Sequence, residues 1–224
     1  MIEDNNMFDS KVTDDEQIVI KFKDETEKQE FRLSRRDSSL SLFLKNATDD
    51  EFDKLSKNSS SNITTTHTVQ VNLIPDIQSN IIGKIVEYLN HYNGTKPNYT
   101  FKKPINYNKM NDIEVICADS ETITTLGAID PWAAKFADGI INQNVEVYNQ
   151  QQTIMLYGLL CVSNYLIISP LCELMTVKFA TLLKRLDSVE TCKRFGIDQN
   201  IADDKELTTK VEDMYPDLLK ENCT

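Results

Sequence analysis

The longest apolar run in the chain constrains its fold more than any other feature. Nine residues, Ile154 to Val162, are apolar throughout apart from Gly158. A helix needs about 20 apolar residues to span a bilayer, so this run is too short to do so. Because the segment is apolar on nearly all sides, the sequence predicts a helix in the middle of a soluble globular fold.

The residues after this run predict a second apolar helix. Ser169 suits the N-cap, and Pro170 suits the first helical position, where its missing N–H costs nothing. Apolar side chains then recur at helical spacing over residues 171–186. Further short helices are predicted at 38–45, 188–195 and 203–214.

Alternation of apolar and polar residues predicts three strands in the N-terminal third of the chain. Residues 18–22 and 30–33 alternate in this way on either side of a charged turn, which predicts a hairpin. A third strand is predicted at 69–73, and a helix follows that begins near Asp76 and ends at Gly94. Strands at the N-terminus and helices at the C-terminus indicate an α+β domain with an appended helical arm.

The predicted organisation is one domain with two tails and an arm. The segments are a disordered acidic tail (1–15), a domain (16–186) with polar insertions near 46–66 and 97–125, a helical arm (187–216) and a second tail (217–224). An arm of about 30 residues is too short to build a core of its own. It either folds back on the domain or presents an apolar surface to another chain, and its short, broken helices favour the second alternative.

Charge and the scarcity of reactive side chains exclude several classes of function. Asp and Glu outnumber Lys and Arg by 35 to 24, and the net charge of −11 disfavours nucleic acid as a partner. The chain has two histidines and carries no nucleotide-binding or hydrolase motif. Its five cysteines form no CxxC pair, and Cys161, Cys172 and Cys192 are predicted core residues. We therefore expect neither catalysis nor a metal or cofactor.

The N-terminus bears on the cellular compartment. The first residues are acidic and polar and lack the apolar stretch of a signal peptide. The sequence therefore predicts an intracellular protein that has no membrane segment.

Several segments resemble the S-phase-kinase-associated (Skp) adaptors and their relative elongin C. Residues 156–166, Leu-Tyr-Gly-Leu-Leu-Cys-Val-Ser-Asn-Tyr-Leu, are similar to the signature helix of the family, and 195–201 are similar to the Skp segment Phe-Asn-Ile-x-Asn-Asp-Phe. Further matches are Leu73-Ile74-Pro75, the helix segment ending in His91, and Asp130-Pro131-Trp132 with Phe136. The resemblance spans residues 16–216, with gaps near 46–66 and 137–150. The extension past residue 186 resembles the Skp adaptors, because elongin C ends near that point.

The resemblance implies a BTB/POZ fold, which is a three-stranded sheet capped by helices, with a C-terminal helical extension. The implied function is that of a non-catalytic adaptor, in the cytoplasm and nucleus, that bridges an F-box substrate receptor to a cullin in an SCF-type E3 ubiquitin ligase. By their position in the motif, Asn164 and Tyr165 would bind the cullin. The implied F-box contacts are Leu182, Leu186, Phe195, Ile197, Val211 and Tyr215.

The sequence departs from the family pattern at three positions. Tyr215 stands where the family carries Trp, and Ala202 stands where some members carry a hydroxylated Pro. Gly158 stands where the family has Glu, and a glycine inside a helix costs about 1 kcal/mol relative to alanine. These departures leave open a divergent member of the family. The alternative is an elongin-C-like or other BTB interaction module outside an SCF ligase.

Overall fold

The computed structural model describes residues 17–21, 30–49, 68–72, 77–97, 100–116, 125–141, 147–184 and 186–198. These residues form helices and two small sheets, which is consistent with the expected α+β class. Both predicted tails, most of the insertion at 46–66 and the helix predicted at 203–214 lie outside the described residues.

The first sheet contains β1 (Gln17–Lys21), β2 (Phe31–Ser34) and β3 (Thr68–Asn72), in the order β2-β1-β3. β1 pairs antiparallel with β2, which sets Ile18 opposite Leu33, and pairs parallel with β3. Both of these side chains are buried, as the apolar positions of an alternating strand should be. The predicted hairpin and the predicted third strand are therefore confirmed.

A second sheet lies in the region predicted as a polar insertion near 97–125. Its strands β4 (Thr100–Phe101), β5 (Glu114–Ile116) and β6 (Thr125–Ala128) pair antiparallel in that order. The buried apolar side chains of this region are Phe101, Met110, Ile113 and Val115. These residues therefore belong to the core and not to a solvated loop. The two residues of β4 and the three of β5 are too few to show alternation, so the pattern did not predict these strands.

The helices of the described residues are α1 (Arg35–Ser38), α2 (residues 42–49), α3 (Ser79–Tyr92), α4 (Pro131–Ile140), α5 (Gln150–Tyr165), α6 (Ser169–Leu183) and α7 (Ser188–Phe195). The bounds of α7 are those predicted. The helix predicted at 38–45 is instead divided between α1 and α2. In α6, Ile168 is the N-cap, and the predicted cap Ser169 is already helical.

Helix α3 supplies much of the core. Its buried side chains are Ile81, Ile82, Ile85, Tyr88 and Leu89, which recur at the spacing of one helix face. The helix ends as predicted near Gly94, because Asn93 and Gly94 both adopt left-handed backbone conformations that stop a helix. α3 packs against β2 and α5, and therefore lies between the first sheet and the C-terminal helices.

Helix α5 differs from its prediction. The apolar run predicted a helix in the middle of the fold, but α5 buries one side, through Leu156, Leu159 and Val162, and exposes the other. It packs on α3 and α6, and the opposite side includes Tyr157, which is 69% exposed. A segment that is apolar all round carries no periodic signal to show which side will be covered. Within the described ranges, none of the helices combines the length and hydropathy needed to cross a bilayer.

Candidate protein-interaction surface

One side of α5 forms an exposed stripe made of Ile154, Tyr157, Cys161 and Asn164. These residues follow at intervals of three, four and three positions, which places them along one side of the helix. All four residues are exposed, and Tyr157 is 69% exposed. The 16 residues of α5 include no charged side chain, although 26% of the chain is charged. An exposed, uncharged helix side is typical of the centre of a protein–protein interface. We refer to these four residues as the α5 stripe.

Two members of the α5 stripe interact with each other. A hydrogen bond with the Cys161 side chain is the main reason why the pKa of Tyr157 is raised above its ordinary value. A phenol is protonated at physiological pH even without this shift, so Tyr157 adds no charge to the stripe. The prediction that Cys161 is a core residue is wrong, whereas the same prediction is confirmed for Cys192, which is buried.

Asn164 and Tyr165, the expected cullin contacts, lie at the C-terminal end of α5. Asn164 is exposed, whereas Tyr165 is half-buried. The Tyr165 ring packs against the Phe43 ring of α2, with the two centroids 5.0 Å apart and the ring planes at 41°. Tyr165 therefore contributes to packing as well as to the surface, so a substitution there affects both.

Two exposed apolar residues that sequence reasoning missed lie beside this tyrosine. Leu42 begins α2 and is 47% exposed, and Ile167 lies between α5 and α6 and is 46% exposed. The Leu42 N–H donates to the Ile167 carbonyl over 3.4 Å, which makes them neighbours. Ile154 and Tyr157 were also missed. For these two, the absence of charge along α5 was a signal that the sequence did contain.

The expected F-box contacts lie in different environments. Leu182 on α6 is 3% exposed and is part of the core, so in the free chain its side chain has a packing role. Leu186 is half-buried between α6 and α7. Ile197, two residues after α7, is 47% exposed. Val211 and Tyr215 lie outside the described residues.

Phe195 holds α7 against the domain. Its ring centroid lies 4.9 Å from that of Tyr148 and 5.7 Å from that of Phe179 on α6. The Tyr148 N–H also donates to the Arg194 carbonyl over 2.8 Å, and Cys192 is buried. The described part of the arm therefore folds back onto the domain, which is the alternative that its short helices did not favour.

A buried ion pair links α6 to α4. The Lys178 side chain is fully buried, and its Nζ atom lies 2.7 Å from Asp138 Oδ1. Burial is the largest influence on this lysine and lowers its pKa below the ordinary 10.5, whereas Asp138 acts to raise it. The Asp138 side chain is 42% exposed, so its carboxylate connects the buried ammonium group to solvent. The Asp138 carboxylate therefore compensates the positive charge of Lys178 inside the fold.

A cavity of about 610 Å³ next to α1 and α2 has a basic lining that includes Arg35, Arg36 and Lys45. Asp49 lies 3.1 Å from Arg35 and offsets part of this charge. The serine hydroxyls of the lining donate to backbone carbonyl groups and are thereby engaged. Across the part of the chain that the structure describes, no three His, Cys, Asp or Glu side chains are grouped closely enough to hold a metal ion.

Comparison with known proteins gives one informative similarity. No protein-family model matches the chain. The chain is 27% identical over 143 residues to the S-phase kinase-associated protein 1 homolog of Tetrahymena thermophila. The aligned region covers 63% of this chain and 69% of that protein. This similarity supports a Skp-like relationship of the kind that the motif at 156–166 indicated.

Proposed function

We propose that this chain is a non-catalytic adaptor that bridges an F-box substrate receptor to a cullin in an SCF-type E3 ubiquitin ligase, and so supports ubiquitin-dependent protein degradation. The observation that carries the proposal is the exposed, uncharged α5 stripe, which lies in the same segment that resembles the family motif. The similarity to a Skp protein homolog supports the same assignment. The proposed places of action are the cytoplasm and the nucleus.

The proposed cullin-binding face comprises Asn164 and Tyr165, extended along α5 by Tyr157 and Ile154. Tyrosine is enriched in the centres of interfaces because it buries a large area and loses few rotamers. Tyr157 is exposed enough to insert into a partner without any change in this chain. Charged residues are depleted in such centres because their desolvation is costly, which fits the composition of α5.

The proposed F-box-binding face lies later in the sequence, around α7. Val189 and Ile197 are 59% and 47% exposed, and Phe195 and Leu186 are half-buried. Because α7 is fixed to the domain by Phe195, this part of the arm offers a preformed surface. Val211 and Tyr215 would complete the face from the remainder of the arm.

We also propose the BTB/POZ fold with a helical extension. The three-stranded sheet of β1, β2 and β3, against which α3 packs through β2, supports this proposal. The proposed domain covers residues 16–186 and the proposed arm covers 187–216. The second sheet, from β4 to β6, would be an addition to that scheme.

The docking of α7 also favours a second candidate function. An arm that packs on its own domain is compatible with an elongin-C-like or other BTB interaction module that binds no F-box. The two candidates share the α5 stripe and differ in the second partner.

Binding measurements on the purified full-length chain test both candidates. Isothermal titration calorimetry is carried out with a cullin N-terminal domain, with an F-box peptide, and with both together. The adaptor proposal expects simultaneous binding of the two partners. Asn164→Lys is expected to weaken cullin binding by at least about tenfold and to leave F-box binding unchanged, because Asn164 is exposed. Cullin binding without F-box binding would favour the second candidate, and binding of neither partner would refute the adaptor proposal.

A further inference from the structure

The turn between α5 and α6 places a β-branched residue in a left-handed backbone conformation. Ile167 has a φ of 53°. Non-glycine residues avoid this region, and a β-branched side chain is a particularly poor fit because its Cβ substituents crowd the backbone. Such strain persists only where the surroundings enforce it, and it is concentrated at functional sites.

The hydrogen bonds of the turn explain why this conformation is required. The Ile167 N–H donates to the Asn164 carbonyl over 3.1 Å, and the Ile168 N–H donates to the Ser163 carbonyl over 2.8 Å. These are the two bonds of the Schellman motif, in which the residue after the C-cap adopts a positive φ. That residue is usually Gly and sometimes Asn. Here Leu166 is the C-cap, so Ile167 occupies the position that suits it least.

Helix α2 holds the turn in place from the other side. The N–H groups of Leu42 and Phe43, at the start of α2, donate to the carbonyls of Ile167 and Leu166. The Ser41 hydroxyl donates to the Leu166 carbonyl over 2.6 Å and also accepts a hydrogen bond from within α2. These hydrogen bonds therefore fix the backbone of the turn independently of the side chain at position 167.

The consequence of having isoleucine at this position is an exposed apolar patch. Ile167 and Leu42 are 46% and 47% exposed and are joined by their backbones. The patch directly follows Asn164 and Tyr165 and so continues the proposed cullin-binding face onto α2. Because nearly half of Ile167 remains exposed, the chain alone gains only part of the burial that could offset its strain.

We infer that Ile167, together with Leu42, is a binding residue for the apolar surface of the cullin, and that its side chain is retained there at a cost in stability. This inference rests on the proposed function and extends its cullin-binding face. A partner that covers the patch would remove both apolar side chains from water, which supplies the free energy that the free chain lacks.

The decisive experiment measures stability and binding on the same full-length variants. Ile167→Asn fits the left-handed position better, so the thermal midpoint Tm is expected to rise by about 2–4 °C. The affinity for a cullin N-terminal domain is expected to fall by about tenfold or more, because the apolar contact is lost. A simple structural role for Ile167 would not produce these opposite changes.

Three further variants serve as controls. Ile167→Val keeps the β-branched shape and most of the apolar surface, and should resemble the wild type in both measurements. Leu42→Asn should weaken cullin binding without raising the Tm, because this substitution leaves the strained left-handed residue Ile167 unchanged. Val189→Asn, at an exposed apolar position on α7, should leave cullin binding unchanged.

The possible failures are distinguishable. If Ile167→Asn binds the cullin domain as tightly as the wild type does, the inference is overturned and the proposed function stands. If its Tm falls, the strain argument is wrong. If the wild type itself does not bind, the proposed function fails and this inference fails with it. A dimer of the free chain that Ile167→Asn dissociates would assign the patch to a second copy and overturn the choice of partner.

Discussion

Gly158 of α5 lies directly against Ile81 of α3. A Cβ atom placed on Gly158 would overlap the Ile81 Cδ1 atom and lie 3.2 Å from Cγ1. Both approaches are closer than ordinary van der Waals contact, and Ile81 is 4% exposed and has little room to move. Helix propensity disfavours a glycine at position 158. Because Gly158 has no side chain, however, α5 can approach α3 closely.

Gly158→Ala is expected to destabilise the protein. The substitution gains about 1 kcal/mol in helix propensity, but forcing a methyl group against the buried Ile81 costs about 1–3 kcal/mol. We expect the free energy of unfolding, measured by urea denaturation, to fall by up to about 2 kcal/mol on balance. Adding Ile81→Val, which removes the Cδ1 atom that makes the closest approach, should recover part of this loss.

Gly139→Ala in α4 is the matched control for this prediction. A Cβ atom placed on Gly139 meets nothing within 4 Å, so helix propensity alone should operate. We expect a gain of about 0.5–1 kcal/mol in the free energy of unfolding. If both glycine substitutions stabilised the protein equally, the close approach of α5 to α3 would be ruled out.

Tyr157→Glu is expected to separate binding from folding. The side chain is 69% exposed, so its replacement by a good helix former should change the free energy of unfolding by no more than about 0.5 kcal/mol. A carboxylate in the α5 stripe must be desolvated on binding, and we expect cullin affinity to fall by at least about tenfold, as measured by calorimetry. Val189→Glu introduces the same charge on α7, where it should leave cullin binding intact. Equal effects of the two variants would show that net charge, and not the α5 stripe, governs binding.

Leu182→Ala and Ile197→Glu test the two environments found among the expected F-box contacts. Leu182 is buried, so we expect its truncation to reduce the free energy of unfolding by about 2–5 kcal/mol. Ile197 is exposed, so Ile197→Glu should leave the thermal midpoint nearly unchanged and weaken binding of an F-box peptide. Thermal denaturation and peptide titration of the two variants provide the comparison. A loss of peptide binding by folded Leu182→Ala alone would contradict the packing role.

The Lys178–Asp138 pair should respond unequally to removal of its two members. Asp138→Ala leaves a buried ammonium group without its carboxylate, and we expect a loss of about 1–3 kcal/mol, moderated by the partial exposure of the pair. Lys178→Met replaces the charge by an apolar side chain of similar length, and we expect a change of less than about 1 kcal/mol, or a gain. Urea denaturation at neutral pH measures both. If Lys178→Met lost more unfolding free energy than Asp138→Ala, a buried and uncompensated charge would not explain the loss in Asp138→Ala.

The same lysine should make stability depend on alkaline pH. Its folded pKa lies below the unfolded value of 10.5, so between the two values the unfolded state binds more protons than the native state. The contribution of Lys178 to stability is therefore present above pH 10.5 and is lost as the pH falls through the folded pKa. We expect the difference in unfolding free energy between wild type and Lys178→Met to shift in favour of the wild type as the pH rises through this window. A constant difference would show that the pKa is not lowered.

Local patterns predicted many of the elements. The alternation at 18–22 and 30–33 predicted a hairpin that is present, and the helix predicted at 188–195 from its apolar spacing has the bounds of α7. Asn93 and Gly94 likewise end α3 where a left-handed residue was expected. Each of these features depends on hydrogen bonds and side-chain periods within a few residues, which is information that a single sequence carries.

The candidate site was only partly predictable. The motif drew attention to Asn164 and Tyr165, and the structure adds that Tyr165 also packs on Phe43. Leu182 looked equivalent to Ile197 in the sequence, yet one is in the core and the other is exposed. Both are apolar residues, and the sequence does not state which apolar residue the rest of the chain will cover.

The sequence by itself determined the α+β class, the C-terminal end of α3, the bounds of α7, and the absence of charge from α5, because these follow from local patterns and composition. Only the tertiary structure decided which side of α5 is exposed, where β4 to β6 pair, why Gly158 is needed, and that Ile167 is held in a left-handed turn. Each of the latter depends on contacts between residues far apart in the chain. Such contacts cover one apolar surface and leave another, chemically equivalent one in water.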